Sequence, residues 1–397
     1  MKVFQFADVI GGGTPDTTVD QYWNGSISWI APSDLTGYNN VYISRGAKNI
    51  SEAGLSSSST KLIPENSVLL SSRAPIGYVA IAANVVCTNQ GFRSLVCKKD
   101  KIDHLFLYYA LKVYKPTLEA FATGATFPEL SGSALKKIEL PIPPIGEQKE
   151  ISKILYSYDQ LIENNAKRIN ILEQMAEQIY KEWFVRMRFP GYENTKFVKG
   201  IPEGWEVETI GNTVNVLMGQ SPKSEFYNQD GVGLPFHQGV GSYGDVFPKH
   251  DTFCSVKGRL ANDGDILFSV RAPVGRLNIA DRKLIIGRGL SAMKHKKGYN
   301  SFLFHFLKHQ FSREDIIGNG AIFNSVGKDE LNGFKYFAPS EALIKDFEKI
   351  VKPIDEEVKN LYEQINTLKT TRNFLIPRLI SGRLSVGSLT SKLQETV

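Results

Sequence analysis

Between residues 151 and 183 the chain places Ile151, Leu155, Tyr158, Ile162, Asn165, Ile169, Leu172, Ala176, Ile179 and Trp183 at alternating steps of four and three. A spacing of 3.5 lines one face of a helix and makes a coiled-coil seam. Such a helix would run roughly 50 Å at about 1.5 Å per residue. The same stripe returns 196 positions later as Phe347, Val351, Ile354, Val358, Leu361, Ile365, Leu368, Arg372, Leu375 and Leu379. Two long sticky helices in one chain predict that they pack on each other. Asn165 and Arg372 are the polar residues on the two seams. A polar seam residue costs stability and sets register, so both are expected as register devices.

Elsewhere the pattern is different. Residues 1–145 carry short apolar runs between turn signals, such as Ser67–Ser71 and Gly77–Ala83, and predict strands. A helical spacing covers His104–Lys115. Pro141, Pro143 and Pro144 predict an extended strap before Glu147 opens the first long helix. Residues 190–340 are again strand-rich, with a helix near Ser301–Gln310. Pro353 lies inside the second stripe and predicts either a break there or a helix that begins there. The expected layout is therefore 1–145, a long helix over 146–189, 190–340, a second long helix over 341–384, and a polar tail over 385–397.

The globular parts repeat as the helices do. Arg73-Ala74-Pro75-Ile76-Gly77 recurs as Arg271-Ala272-Pro273-Val274-Gly275, and Gln90-Gly91 aligns with Arg288-Gly289, all at an offset of 198. Phe106-Leu107 matches Phe302-Leu303, and Gly124-Ala125-Thr126-Phe127 matches Gly320-Ala321-Ile322-Phe323, at 196. Gly13-Thr14-Pro15 is similar to Gln220-Ser221-Pro222. A period near 200 is a duplicated domain and not a solenoid. The segments 39–60 and 231–257 align poorly, as expected of two copies facing different demands.

Composition narrows the function classes. Net charge is +6 over 397 residues, with +2 in residues 1–145, 0 in 146–189 and +3 in 190–340. The surplus lies mostly outside the helices, which is compatible with a polyanionic partner. Cys87, Cys97 and Cys254 form no CxxC pair, which suits a reducing cytoplasm. No signal layout opens the chain and no run of 18 apolar residues exists, so no membrane association is expected.

A search for reactive groups finds little. Gly11-Gly12-Gly13-Thr14-Pro15 has neither GxGxxG spacing nor the Gly-Lys-Ser/Thr of a P-loop. His305 and His309 stand four apart on a helix, but Phe306 occupies the position of the HExxH glutamate. There is no GxSxG and no Asn-Pro-Pro-aromatic tetrapeptide. The expectation is a binding protein with no catalytic residues, no metal and no cofactor. Arg73 and Arg271 precede Ala-Pro-x-Gly in both copies, where a guanidinium either braces a turn or meets DNA phosphate or a guanine edge. Lys98 and Lys99, with Lys294 and Lys296, form basic clusters at equivalent places and are candidates for backbone contact. Gly13, Thr14, Ser221 and Lys223 complete the candidate DNA-binding set.

Several further residues fall in a particular order. Gly12-Gly13-Thr14-Pro15 follows the opening strand. Leu140-Pro141-Ile142-Pro143-Pro144, Glu147-Gln148 and Ile151 lead into the first helix, and Trp183-Phe184 close it. Gly204-Trp205 opens the second copy, and Leu375-Ile376-Pro377-Arg378-Leu379-Ile380-Ser381-Gly382 ends the second helix. In this order, over nearly the whole chain, the sequence resembles the specificity subunit of type I restriction–modification systems. The resemblance implies an α+β fold: two strand-rich target recognition domains joined by two long helices packed as an antiparallel coiled coil with pseudo-twofold symmetry. It implies that each domain reads one half of a bipartite site in double-stranded DNA while the helices set the spacing. Two DNA methyltransferase subunits and the restriction/translocase subunits would be the protein partners. The alternatives are a self-contained DNA-modifying enzyme and a scaffold without DNA readout. Two departures stand out. The first copy has no counterpart of Gly204-Trp205, which predicts a short edge strand, and Pro339-Ser340-Glu341 replaces Pro143-Pro144-Ile145 before the second helix.

Overall fold

A computed structural model describes residues 1–73, 75–124, 128–311, 316–317, 321–322 and 325–387. The chain divides into two units, one of Met1–Lys167 with the described residues from Tyr362 onward, the other of Arg168–Leu361. Each unit therefore holds one globular domain and a part of both long helices.

In unit 1 a short helix α1 (Val3–Phe6) precedes β1 (Ala7–Gly11), followed by β2 (Trp23–Ile30), β3 (Tyr42–Ile43), β4 (Lys48–Ile50) and α2 (Glu52–Ser57). Then come β5 (Val68–Ser71), β6 (Val79–Ala82), β7 (Cys87–Thr88) and β8 (Phe92–Cys97). Strands order as β1-β8-β5-β6-β3 in one sheet and β4-β2-β7 in another. All four residues of β5 are buried, as expected for a central strand covered on both faces. Helices α3 (His104–Val113), α4 (Lys115–Ala120) and α5 (Gly132–Lys137) follow. Asp103 caps α3 by accepting from Phe106 N at 2.9 Å, which satisfies one of the free amides of its first turn.

The long helix α6 (Ile145–Tyr180) starts two residues before Glu147 and ends in a wider turn over Lys181–Val185. Unit 2 contains β9 (Phe197–Val198), β10 (Ile201–Pro202), β11 (Glu206–Thr209), α7 (Ile210–Thr213), β12 (Val214–Met218), β13 (Tyr227–Asn228) and β14 (Leu234–His237). These lead to β15 (Phe253–Cys254), β16 (Leu260–Ala261), β17 (Ile266–Ser269), β18 (Leu277–Ile279), β19 (Leu284–Ile286) and β20 (Leu290–His295). After α8 (Asn300–Gln310) come the short β21 (Ile316–Ile317) and β22 (Ala321–Ile322), α9 (Lys328–Gly333), β23 (Lys335–Ala338) and α10 (Glu341–Ile380).

The sheets repeat the first unit's plan: β12-β20-β17-β18 matches β1-β8-β5-β6, and the parallel pair β14-β19 matches β2-β7. Glu206–Thr209 pairs along its length with β23, whereas among the described residues the first copy has only the bridge between Lys2 and Glu139. The edge strand is indeed reduced where the Gly-Trp opening is missing. Ala74, residues 125–127 and 388–397 lie outside the described residues, so part of the Arg-Ala-Pro-x-Gly repeat, the Gly124–Phe127 match and most of the tail do too.

The stripes fall on the buried faces of α6 and α10. In unit 1, Ile151 and Leu155 join Leu375, Ile376 and Leu379 in one core with Phe106 and Leu107 of α3. In unit 2, Ala176, Tyr180 and Trp183 share a core with Ile344, Phe347, Val351 and Phe302. Leu172, Ile162, Ile179 and Leu368 are half-buried, while Ile169, Val358, Leu361 and Ile365 are buried. The partners run in opposite directions within each unit. Asn165 Nδ2 donates to Gln364 Oε1 at 3.1 Å in unit 1, and Arg168 pairs with Glu357 at 2.7 Å in unit 2.

One expectation needs correction. Pro353 neither breaks nor begins α10, which is continuous from Glu341 to Ile380. The ring is exposed, so the carbonyl that loses its amide partner lies on the solvent side, while buried Val351 and Val358 hold the helix against the core. The two polar seam residues, Asn165 and Arg372, have separate partners. By the repeat, Asn165 corresponds to Leu361 and Arg372 to Ala176. Arg372 instead bonds Asp159, a buried carboxylate that lies just off the stripe, and Tyr109 donates to the other oxygen of that group.

Candidate nucleic-acid interface

Four chain segments leave the sheets at the same edge of each domain. In unit 1 they follow β1, β2 and β5 and join β7 to β8. Backbone bonds tie them together: Gly13 N to Thr88 O at 2.9 Å, Asn89 N to Ile30 O at 2.9 Å, and Ser72 N to Gly91 O at 2.7 Å. Unit 2 repeats the pattern with Gly287 N to His237 O at 2.8 Å and Val270 N to Gly289 O at 2.9 Å. Close approach explains the glycines. A Cβ on Gly12 would lie 2.0 Å from Asn89 O, and one on Gly219 would lie 2.1 Å from Gly287 O.

The Arg-Ala-Pro-x-Gly repeat is a turn at this rim. Ser71 Oγ donates to Pro75 O at 2.7 Å and accepts from Tyr78 N at 2.8 Å; Ser269 does the same to Pro273 O and from Arg276 N, at 2.6 and 2.8 Å. Gly77 and Gly275 take φ of 90° and 85°, the left-handed region that favours glycine. The arginine before each turn is thus held at the rim by its backbone.

The rim side chains are polar and mostly cationic. Thr14 Oγ1 bonds Gln90 Oε1. Glu129 receives Arg93 Nη2 at 2.8 Å and Arg73 Nε at 3.1 Å, and half of the Arg73 side chain remains exposed. In unit 2, Ser221 Oγ donates to Gln238 Oε1 at 2.8 Å and accepts from Arg288 N at 3.2 Å. Arg271, Arg288, Lys223 and Lys249 are exposed. A cleft beside them is lined by Tyr227, Gln238, Gly239, Ser242, Lys249 and Asp251.

Not every sequence candidate belongs here. Gly13 is buried beneath the rim, where a Cβ would lie 2.4 Å from Ser59 Oγ. Lys98, Lys99, Lys294 and Lys296 sit at the far ends of β8 and β20, on the order of 17 Å from the rim at about 3.3 Å per strand residue. Lys98 Nζ donates to Phe4 O at 2.9 Å and Lys296 Nζ to Gly211 O at 2.7 Å. Both brace the short helix that opens their domain, which accounts for their equivalent placement. Lys99 and Lys294 are exposed at that same far end. Conversely, Gln90, Arg93, Glu129, Gln238 and Arg288 are rim residues that spacing alone did not single out. The one available signal was the alignment of Gln90-Gly91 with Arg288-Gly289.

Among the described residues, unit 2 has a polar line under its rim that unit 1 lacks. His237 occupies the place of Ile30 beside the parallel strand, and is buried. Its Nδ1 meets Ser242 Oγ at 2.8 Å, its Nε2 meets His250 Nδ1 at 3.1 Å, and His250 Nε2 meets Asp281 at 2.9 Å. Burial, then the neighbouring His250, pushes His237 down to about 4 from 6.5. His295 is pushed down to about 4 by burial and by Lys297. Unfolded imidazoles take up a proton below about 6.5 while these do not, so stability is full above that pH and falls as pH drops toward 4. Each group should remove about 3 kcal/mol from unit 2 across that window. The His237→Ile variant should flatten the dependence; chemical unfolding between pH 4 and 7 checks this, and an unchanged slope would contradict it.

His305 and His309 have different neighbours. His305 is buried with Nε2 3.5 Å from Asp355, and His309 lies against the Tyr180 ring. Among the described residues no group of three or more His, Cys, Asp or Glu has metal-holding geometry. No helix among them is long and apolar enough to cross a membrane.

A duplicated domain–helix chain with a cationic polar rim on each domain has the architecture of a two-headed binding protein. The type I restriction modification DNA specificity domain matches residues 1–174 and again 202–341, and the chain belongs to that family. It is 34% identical to the type I restriction enzyme MjaIX specificity subunit of Methanocaldococcus jannaschii, covering 98% of this chain and 94% of that one. It is 33% identical to the putative MjaX specificity subunit of the same organism, over 72% of this chain and 70% of the relative. In fold it is similar to the S subunit of a type I restriction–modification system from M. genitalium, with a TM-score of 0.64 at 17% identity over 96% and 95% of the two chains.

Proposed function

We propose that this chain is the non-catalytic subunit that gives a type I restriction–modification complex its DNA sequence specificity. Each rim reads one half of a bipartite site in double-stranded DNA. The paired helices hold the reading heads at a fixed spacing and dock two methyltransferase subunits, and restriction/translocase subunits join for cleavage. The complex works in the cytoplasm, in keeping with three free thiols. The observation that carries the reading is the repeated rim. The same backbone framework presents Thr14, Gln90, Arg73 and Arg93 in one domain and Ser221, Gln238, Arg271 and Arg288 in the other. Arginine and glutamine are side chains suited to guanine and adenine edges, and different polar residues on one frame suit two different half-sites. Lys98 and Lys296 are structural in this scheme.

The test is methylation of random-sequence DNA by the reconstituted complex, followed by mapping of modified bases. A two-part motif is expected. Replacing Gln238 and Arg288 by alanine should relax the motif in one half only, at a cost of about 1–3 kcal/mol per lost bidentate contact. Modification without a two-part motif, or loss of both halves together, would defeat the proposal.

A further inference from the structure

At positions 196 apart in the repeat, Tyr109 corresponds to His305, Asp159 to Asp355 and Arg372 to Ala176. In unit 1 each oxygen of the carboxylate has a donor, because Tyr109 OH donates to one oxygen of Asp159 and Arg372 Nη1 to the other. In unit 2 the acid is kept and the arginine is not. Ala176 is fully buried and brings no donor, and among the described residues Asp355 has only His305 Nε2, at 3.5 Å.

Beside Asp355 lies a cavity of about 380 Å³, lined among others by Glu173, Asp245, His305 and Lys308. His305 is 4% exposed and its Nδ1 has no partner. In the neutral ring with its hydrogen on Nε2 toward Asp355, Nδ1 is an acceptor. Glu173 is pushed up by burial, which is how a carboxylate short of donors behaves. Lys308 is turned to Glu177 at 3.3 Å, and Arg276 of the lining is solvent-exposed. The cavity thus holds two carboxylates, Glu173 and Asp355, to which no described guanidinium is bonded, where the other unit inserts one.

We infer that this cavity of unit 2 binds a guanidinium group supplied from outside the chain, in the role that Arg372 fills in unit 1. A planar fork of five donors can reach both carboxylates at once, which a compact ammonium does less well. The inference stands independently of DNA readout, since Glu173, His305 and Asp355 lie on the helices and not on the rims.

The experiment titrates the full chain with guanidinium chloride up to about 20 mM, where its denaturing action is negligible. Sodium chloride at matched ionic strength and urea serve as controls. A parallel arm uses the capped peptide Gly-Arg-Gly. The unfolding midpoint of unit 2 should rise and saturate, and the His305 ring nitrogen signals should shift, with neither control acting. Saturation by the ion alone assigns a small free ligand; tighter saturation by the peptide assigns an arginine of another polypeptide. Glu173→Gln and Asp355→Asn should each weaken binding at least tenfold. Ala176→Arg should raise the midpoint without ligand and abolish the response. Absence of saturation in both arms overturns the inference, as does an unchanged response in the two carboxylate variants, whether or not Ala176→Arg folds.

Discussion

Phe347→Ala is expected to cost unit 2 about 3–5 kcal/mol, the range for emptying a fully buried aromatic site. Phe347 is 0% exposed and sits where α6, α8 and α10 meet. Its ring centroid is 5.1 Å from Phe184, 6.0 Å from Trp183, 6.1 Å from Tyr180 and 6.3 Å from Phe302. With the His305 imidazole at 6.2 Å, five rings around one make a rigid wall that closes poorly over a void, so the cavity term adds to the lost transfer energy. Hydrogen exchange should show α8 and the start of α10 losing protection together, while α3 in unit 1 keeps its own. A cost below about 1 kcal/mol would mean that the cluster repacks and does not hold the helix ends.

Arg372→Leu should be nearly as damaging to unit 1, at about 3–5 kcal/mol, for an electrostatic reason. The variant leaves Asp159, which is 8% exposed, with Tyr109 as its remaining donor. A buried carboxylate without its counter-charge costs more than the intact pair contributes. The double variant Asp159→Leu with Arg372→Leu should therefore recover most of the loss. Chemical unfolding of the four chains in a double-mutant cycle measures this. A double variant no more stable than Arg372→Leu would show that packing of the arginine stem, and not its charge, is what matters.

The two long helices were legible because a 3.5-residue period survives over ten positions in each stripe, and all twenty positions proved buried or half-buried. The turn repeat was legible as a repeat, since its serine, proline and glycine each have a local backbone task. What spacing could not supply was direction across a strand. Arg73 and Lys98 both looked like cationic loop residues, yet they stand at opposite ends of the sheet, because β8 runs between their surroundings. Partners distant in sequence were equally hidden. Nothing local marks Asp159 as the mate of Arg372, 213 residues away, or His237 as the start of a line through His250 to Asp281. The expected break at Pro353 failed for a simpler reason: a proline rule written for the middle of a buried helix overstates the penalty when the orphaned carbonyl faces water.

Leu375, Ile376, Leu379 and Ile380 come from the second repeat but complete the core of the first domain, while Ala176, Tyr180 and Trp183 of the first repeat complete the second. A primordial chain with one domain and one helix would thus have left its own core open at the place where the other repeat's helix end now sits. Two such chains could close both cores only by trading helix ends. Gene fusion would then have turned an exchange between molecules into one within a molecule, and freed each half to drift apart in what it recognises.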